Sequence, residues 1–280
     1  MKLIIHGGFF SESSQSDEVK NAKQNALERI SKSSYDYLQN HTAEQTVVFA
    51  IEQLENDPLF NAGIGSQIQS DGKIRMSASL MNGKNKKFSG VINVQNIQNP
   101  IQLAAVLMKE EDRVLGGEGA NLYAEKIEIP VFSTETAERR KDYEEKLKSS
   151  RTSTVGCVVL DKNGNIAAGT STGGKGFELP GRVSDSATVA GNYANDFCGV
   201  SCTGVGEDIV SSALATKIVT RVTDGMTLTK AFEKTFSELA EFDGFAGAIA
   251  LDKEGNFAVE QSHPKVVFAS FDGTNFNVFN

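Results

Sequence analysis

Two stretches of this chain repeat one layout. TVGCVVLDKNGNIAAGTST (Thr154–Thr172) is a pair of apolar runs around Asp161–Asn165, and AGAIALDKEGNFAVEQS (Ala246–Ser262) has the same Asp-Lys-x-Gly-Asn centre. Gly164 and Gly255 stand where a tight hairpin turn needs a positive φ, so each stretch predicts two paired strands. Between them, helices are expected near Glu207–Val222 and Thr227–Phe242. Long apolar hairpins interleaved with helices point to an α+β chain of stacked antiparallel sheets covered by helices.

The first half mixes both element types. A buried strand is expected at Lys2–Ile5, then a helix over Asp17–Leu38 with Val19, Ala22, Ala26 and Ile30 as its stripe. Thr42 followed by Gln45 reads as a capping box opening a helix that carries Val47, Val48, Ile51 and Leu54. Asn99-Pro100 marks the start of a third helix, with Ala104, Ala105 and Met108 inward. Short strands fall at Ile74–Leu80 and Phe88–Val94. From Ser133 to Ser150 almost every residue is charged or small and polar, which predicts a solvated, partly helical linker. It divides the chain into halves, 1–153 and 154–280, of one domain.

Composition narrows the function. A net charge of -8 over 280 residues, with no basic face in view, argues against a nucleic-acid partner. No run approaches membrane-spanning length, and the apolar start at MKLII is too short for a signal peptide. Cys157, Cys198 and Cys202 cannot all pair and form no metal pattern. Together these features predict a cytoplasmic, reducing setting.

Several catalytic classes fall away. GTSTGGKG (Gly169–Gly176) nearly fits a phosphate-binding loop, but Gly176 replaces the required hydroxyl and Pro180 interrupts the helix that should follow. Gly116, Gly117 and Gly119 suit a helix start better than a dinucleotide fingerprint. His6, His41 and His263 stand in a strand, before a helix and beside a proline, where structural roles prevail. A hydrolase made from this inventory needs another base, and a threonine with a free α-amine carries one.

HGG (His6–Gly8), PLFNAGIGS (Pro58–Ser66), STVG (Ser153–Gly156), GTSTGG (Gly169–Gly174), LPGRVSDS (Leu179–Ser186) and SCTGVGE (Ser201–Glu207) occur in this order. In that order they resemble the isoaspartyl peptidase/plant-type asparaginase family of N-terminal nucleophile hydrolases. The resemblance implies a four-layer αββα sandwich and a precursor that cuts itself between Ser153 and Thr154. It implies that Thr154 is the nucleophile, Thr172 orients its hydroxyl, and Thr203 with the Gly204 N–H forms the oxyanion hole. Arg182 matches the group that grips a substrate α-carboxylate, Asp185 the acid that binds its α-amine, and Asn61 an amide near the nucleophile. The expected substrates are L-asparagine and β-aspartyl dipeptides, with no cofactor for catalysis. A structural sodium ion is implied on the backbone carbonyls of Leu54, Glu55, Asp57, Phe60, Ala62 and Ile64. The expected assembly is a dimer of αβ units.

Read singly, the three threonines are ordinary strand residues, Arg182 and Asp185 an ordinary surface pair, and Asn61 a turn residue. The sequence also departs from the family at Ser153, Ser77, Asn82, Ser184 and Ala187. Ser153 replaces the usual glycine before the nucleophile, which predicts slower self-cleavage. A non-cleaving scaffold relative and a glycosylasparaginase are the competing readings; the TVG context speaks against the latter.

Overall fold

The computed structural model describes residues 1–10, 16–145, 154–262 and 265–280. The first half contains β1 (Lys2–Phe10), α1 (Asp17–Leu38), α2 (Ala43–Glu55), β2 (Met76–Asn82), β3 (Lys87–Val94), α3 (Pro100–Leu107), β4 (Val114–Gly116), α4 (Gly117–Lys126) and α5 (Ala137–Glu144). The second contains β5 (Thr154–Leu160), β6 (Ile166–Thr172), β7 (Asn192–Ala194), β8 (Cys198–Gly204), α6 (Gly206–Ser212), α7 (Leu214–Thr223) and α8 (Leu228–Ala240). It closes with β9 (Ala246–Asp252), β10 (Phe257–Gln261), β11 (Lys265–Phe271) and β12 (Phe276–Val278).

The strands form an eight-stranded sheet in the order β12-β11-β1-β5-β6-β2-β3-β4 and a four-stranded sheet in the order β10-β9-β8-β7. The two repeated hairpins part company: β5–β6 lies at the centre of the large sheet and β9–β10 at one side of the small one. Because strand side chains alternate between faces, each sheet buries both. Val155, Cys157 and Val159 of β5 join the core that packs α1 to α4 on the large sheet. Cys198, Val200 and Cys202 of β8 do the same beneath α7 and α8. Ile4, Val158, Ala168, Ile249 and Leu251 fill the space between the sheets. The layers therefore run helix, sheet, sheet, helix, as the motif resemblance implies.

The large sheet interleaves the halves. β1 inserts between β11 and β5, while β2 to β4 continue the sheet beyond β6. Neither half holds the large sheet on its own, whereas the small sheet comes wholly from the second half.

The capping box is present: Thr42 Oγ1 accepts from Gln45 N at 3.3 Å and Gln45 Oε1 accepts from Thr42 N at 3.0 Å. Asn99-Pro100 does start α3, although the Asn99 amide donates to Asn56 Oδ1 instead of the helix, and Glu55 Oε1 accepts the Ile101 N–H at 3.1 Å. The helix expected over Glu207–Val222 is broken in two at Ala213, whose φ is 51°. The charged linker is only partly solvated. Arg139 is buried, its Nε donating to Gly65 O at 2.8 Å, and Thr134 is buried beside it. A guanidinium can lie under the surface when its donors meet carbonyls, which a count of charged residues does not reveal. Residues 146–150 of that linker, Ser153 and His263 lie outside the described residues.

Candidate active site

Thr154 begins β5 and is paired in register with Thr172, the last residue of β6. The Thr154 hydroxyl donates to Thr172 Oγ1 at 3.2 Å, and both side chains are buried. Thr172 Oγ1 also accepts the Gly174 N–H at 3.2 Å, which fixes the loop that leaves the strand. Asn61 clamps the same loop from the other side. Its carbonyl accepts from Gly173 N at 2.9 Å, its Nδ2 donates to Gly174 O at 2.6 Å, and its Oδ1 accepts from Gln67 N at 3.0 Å. A side chain at Gly173 would collide with Ser66, so the chain passes there only as glycine. Asn61 thus touches the loop beside the threonine pair, and its amide hydrogen bonds go to backbone.

β8 brings Thr203 and Gly204 from the small sheet, packed across from β5. Thr203 Oγ1 is buried with no hydrogen-bond partner among the described residues. Gly204 has φ 149°, and a Cβ there would meet Phe245 O at 2.5 Å and Ala246 Cα at 2.8 Å. A buried hydroxyl without a partner is costly, and a function that supplies an acceptor explains its retention.

Arg182 and Asp185 converge over Gly206, where a Cβ would lie 2.6 Å from Arg182 Nη2 and 2.8 Å from Asp185 Oδ1. Asp185 opens a short 3-10 turn, Asp185–Ala187, capped by Ser184 Oγ accepting the Ser186 N–H at 3.0 Å. Burial pushes its carboxyl up to about 7 against the pull of Arg182, and its Oδ2 lacks a partner among the described residues. Arg182 donates through Nε and Nη2 to the two oxygens of Glu207 at 2.9 and 3.0 Å. Lys175 Nζ adds a third contact to Glu207 at 3.2 Å. These hydrogen bonds, Arg182 first, hold the Glu207 carboxyl down at about 2. Arg182 Nη1 makes no hydrogen bond among the described residues. One cationic edge and one carboxylate therefore stand side by side, an arrangement that fits a zwitterion.

Glu207 carried no role in the sequence reading beyond closing a motif. An acid in the first turn of a helix reads as a partner for the helix dipole, so its pairing with an arginine 25 positions upstream was not visible. The departures found in the sequence have ordinary partners. Ser77 Oγ accepts from Asn93 N at 3.2 Å, Asn82 Nδ2 donates to Glu44 Oε2 at 2.6 Å, and Ala187 is buried. His41 stacks on Tyr37 and bonds to its carbonyl at 2.8 Å, a structural place.

The proposed sodium loop closes on itself through Ile64 N donating to Glu55 O at 2.7 Å. The carbonyls of Leu54, Glu55 and Asp57 already accept backbone N–H groups, whereas those of Phe60, Ala62 and Ile64 accept none among the described residues. A carbonyl has two lone pairs, so this all-oxygen set fits a hard cation.

Fold and site together define a four-layer sandwich with a threonine pair at the end of its central strands and a charge pair beside it. The model of the asparaginase family matches residues 1–279. The chain is 46% identical to an isoaspartyl peptidase/L-asparaginase of Synechocystis sp., covering 98% of this chain and 88% of the relative. It is 35% identical to the Bos taurus isoaspartyl peptidase/L-asparaginase, covering 96% and 92%, and 34% identical to a plant-type L-asparaginase of Pyrobaculum calidifontis, covering 91% and 92%. The chain belongs to the asparaginase family.

Proposed function

We propose that this chain is the precursor of an amidohydrolase acting on β-aspartyl dipeptides and L-asparagine, activated by a cut before Thr154. The observation that carries the reading is the buried hydroxyl pair, Thr154 Oγ1 to Thr172 Oγ1 at 3.2 Å, on the central strands. After the cut, the new α-amine of Thr154 is a base with an ordinary pKa of about 7.7–8.0, so it takes the hydroxyl proton near neutral pH. Thr154 Oγ1 attacks the side-chain amide carbonyl, and ammonia or the amino-acid amine departs with a proton. Water then hydrolyses the ester. The Thr203 hydroxyl and the Gly204 N–H meet the developing oxyanion, which supplies a partner for the otherwise unpartnered Thr203 Oγ1. Arg182 and Asp185 hold the carboxylate and amine of the aspartyl end.

A sodium ion on the 54–64 loop would brace the carbonyl of Glu55 and the turn that carries Asn61; it takes no part in the chemistry. Three buried free thiols suit a reducing, cytoplasmic setting, and no helix among the described residues is long and apolar enough to cross a membrane. Pairing of two αβ units completes the proposal; equilibrium sedimentation of the mature protein measures it.

The test is direct. Purified protein is incubated, then resolved on a denaturing gel and by mass. Two fragments with a new Thr154 terminus, with ammonia released from L-asparagine, are expected. Thr154→Ala should stay one folded chain without either activity; wild-type ammonia release by that variant overturns the mechanism.

A further inference from the structure

One pleat deeper than the threonine pair lies a second polar group with no part in the chemistry just described. Strand side chains repeat on one face every second residue. Two positions on from Thr154 is Gly156, which faces His6 across the β1–β5 ladder. Two before Thr172 is Thr170, and two before Thr203 is Ser201. These residues meet: His6 Nε2 lies 2.9 Å from Ser201 Oγ, and Ser201 Oγ lies 2.7 Å from Thr170 Oγ1. Thr170 Oγ1 also donates to Gly191 O at 3.4 Å. None of the three is exposed. A Cβ at Gly156 would collide with both Ser201 Oγ and His6 Nε2, so the glycine leaves the space in which they join.

The bonds run between sheets. His6 and Thr170 belong to the large sheet and Ser201 to the small one. Elsewhere the same space is filled by apolar side chains such as Ile4, Val158, Ala168 and Ile249, which hold sheets together without polar groups. Cohesion alone therefore does not call for this trio, and burying it has a cost that its mutual hydrogen bonds only offset. What hydrogen bonds add is direction and a fixed length. The proposed reaction asks a nucleophile on β5 and an oxyanion donor on β8 to meet one carbonyl, and an error of about 1 Å in such geometry costs on the order of a hundredfold in rate.

We propose that His6, Thr170 and Ser201 are positioning residues that set the separation of the two sheets at the reaction centre. The inference rests on the hydrolase reading. Through the trio, the strand carrying Thr172 is bonded directly to the strand carrying Thr203, while His6 ties in β1 beside the strand carrying Thr154.

Thr170→Val and Thr170→Ser separate positioning from packing. Valine keeps the shape and loses the hydroxyl; serine keeps the hydroxyl and loses a methyl. Self-cleavage rate, then kcat and KM per new Thr154 terminus measured by mass, are compared with the parent on a β-aspartyl dipeptide. Melting temperature is measured in the uncleaved Thr154→Ala background. The expected result is a fall of about ten- to a hundredfold in self-cleavage rate and kcat for Thr170→Val, with KM within about twofold. Thr170→Ser stays within about threefold of the parent, and both keep melting temperatures within a few degrees. Ser201→Ala should reproduce the valine effect, and the double variant should lose less than the product of the two. An active parent whose valine variant is unchanged overturns this inference alone, as does a serine variant that falls as far as valine. A parent that neither cuts itself nor releases ammonia overturns the hydrolase reading and this inference with it.

Discussion

Arg182 commits its Nε and Nη2 donors to Glu207, and Nη1 has no hydrogen-bond partner among the described residues. A bidentate carboxylate partner fixes the guanidinium plane before any substrate arrives. Arg182→Ala should accordingly raise KM for β-aspartyl dipeptides at least tenfold, about 1.4 kcal/mol, with a smaller change in kcat. Steady-state kinetics decide it, and equal losses in kcat and KM would contradict an anchoring role. His6 offers a second check. Burial lowers its pKa to about 3 from the ordinary 6.5, so the folded state disfavours the imidazolium. The unfolded chain then binds the extra proton, and the histidine's contribution is full above 6.5 and lost as pH falls toward 3. Buried Asp185 and Glu55 shift upward and act oppositely in part of that window. The measurement is therefore the difference between Thr154→Ala protein with and without His6→Gln. Urea unfolding from pH 7.5 to 5 should show a smaller loss of stability in the glutamine variant. The sequence singles out the three threonines, Arg182 and Asp185 because each sits inside a motif. The contacts of His6 and Glu207 reach partners 195 and 25 positions away, and a single sequence gives no register across sheets.

The elements were legible where local chemistry decides them. The Thr42 capping box, the Asp161–Asn165 turn with Gly164 at φ 78° and the Asp252–Asn256 turn with Gly255 at φ 83° all follow from residues within four positions. The break between α6 and α7 does not. Ala213 takes the left-handed conformation that alanine disfavours by about 1–2 kcal/mol, and nothing in its neighbours' propensities announces it. Tertiary bonds hold it there: Ala215 N donates to Ala190 O at 2.8 Å, which seats the start of α7 on the loop before β7. Ala213→Gly should therefore raise stability by about 1 kcal/mol despite placing glycine at a helix junction, because it relieves the positive φ. Thermal unfolding of the Thr154→Ala protein tests this; a lower melting temperature would show that α6 and α7 gain more from alanine's stiffness. The charged segment before Thr154 was misjudged for a related reason. Composition sees the charge of Arg139 and not the Gly65 carbonyl that receives it.

At the scale of the molecule, the sheet order decides what a cut can do. The two apolar hairpins and their helices pointed to stacked sheets covered by helices, and the family resemblance implied the four layers; strand order in the large sheet depends on pairings between the halves and was not readable. β5 sits between β1 and β6, and β6 between β5 and β2, so severing the chain before Thr154 leaves both pieces woven through one sheet. The fragments should migrate together on a native gel after complete self-cleavage and part only in denaturant. Their return is a different matter. The uncut chain regains its sheet by a unimolecular search, whereas the severed pieces must first find one another, so refolding of mature protein should slow on dilution and Thr154→Ala refolding should not. Stopped dilution from urea at several protein concentrations reads this out. A cut before Thr154 would thereby turn recovery from unfolding into an encounter between two partners: a cleaved copy could regain its shape only as fast as it met its missing half, a dependence the intact precursor never has.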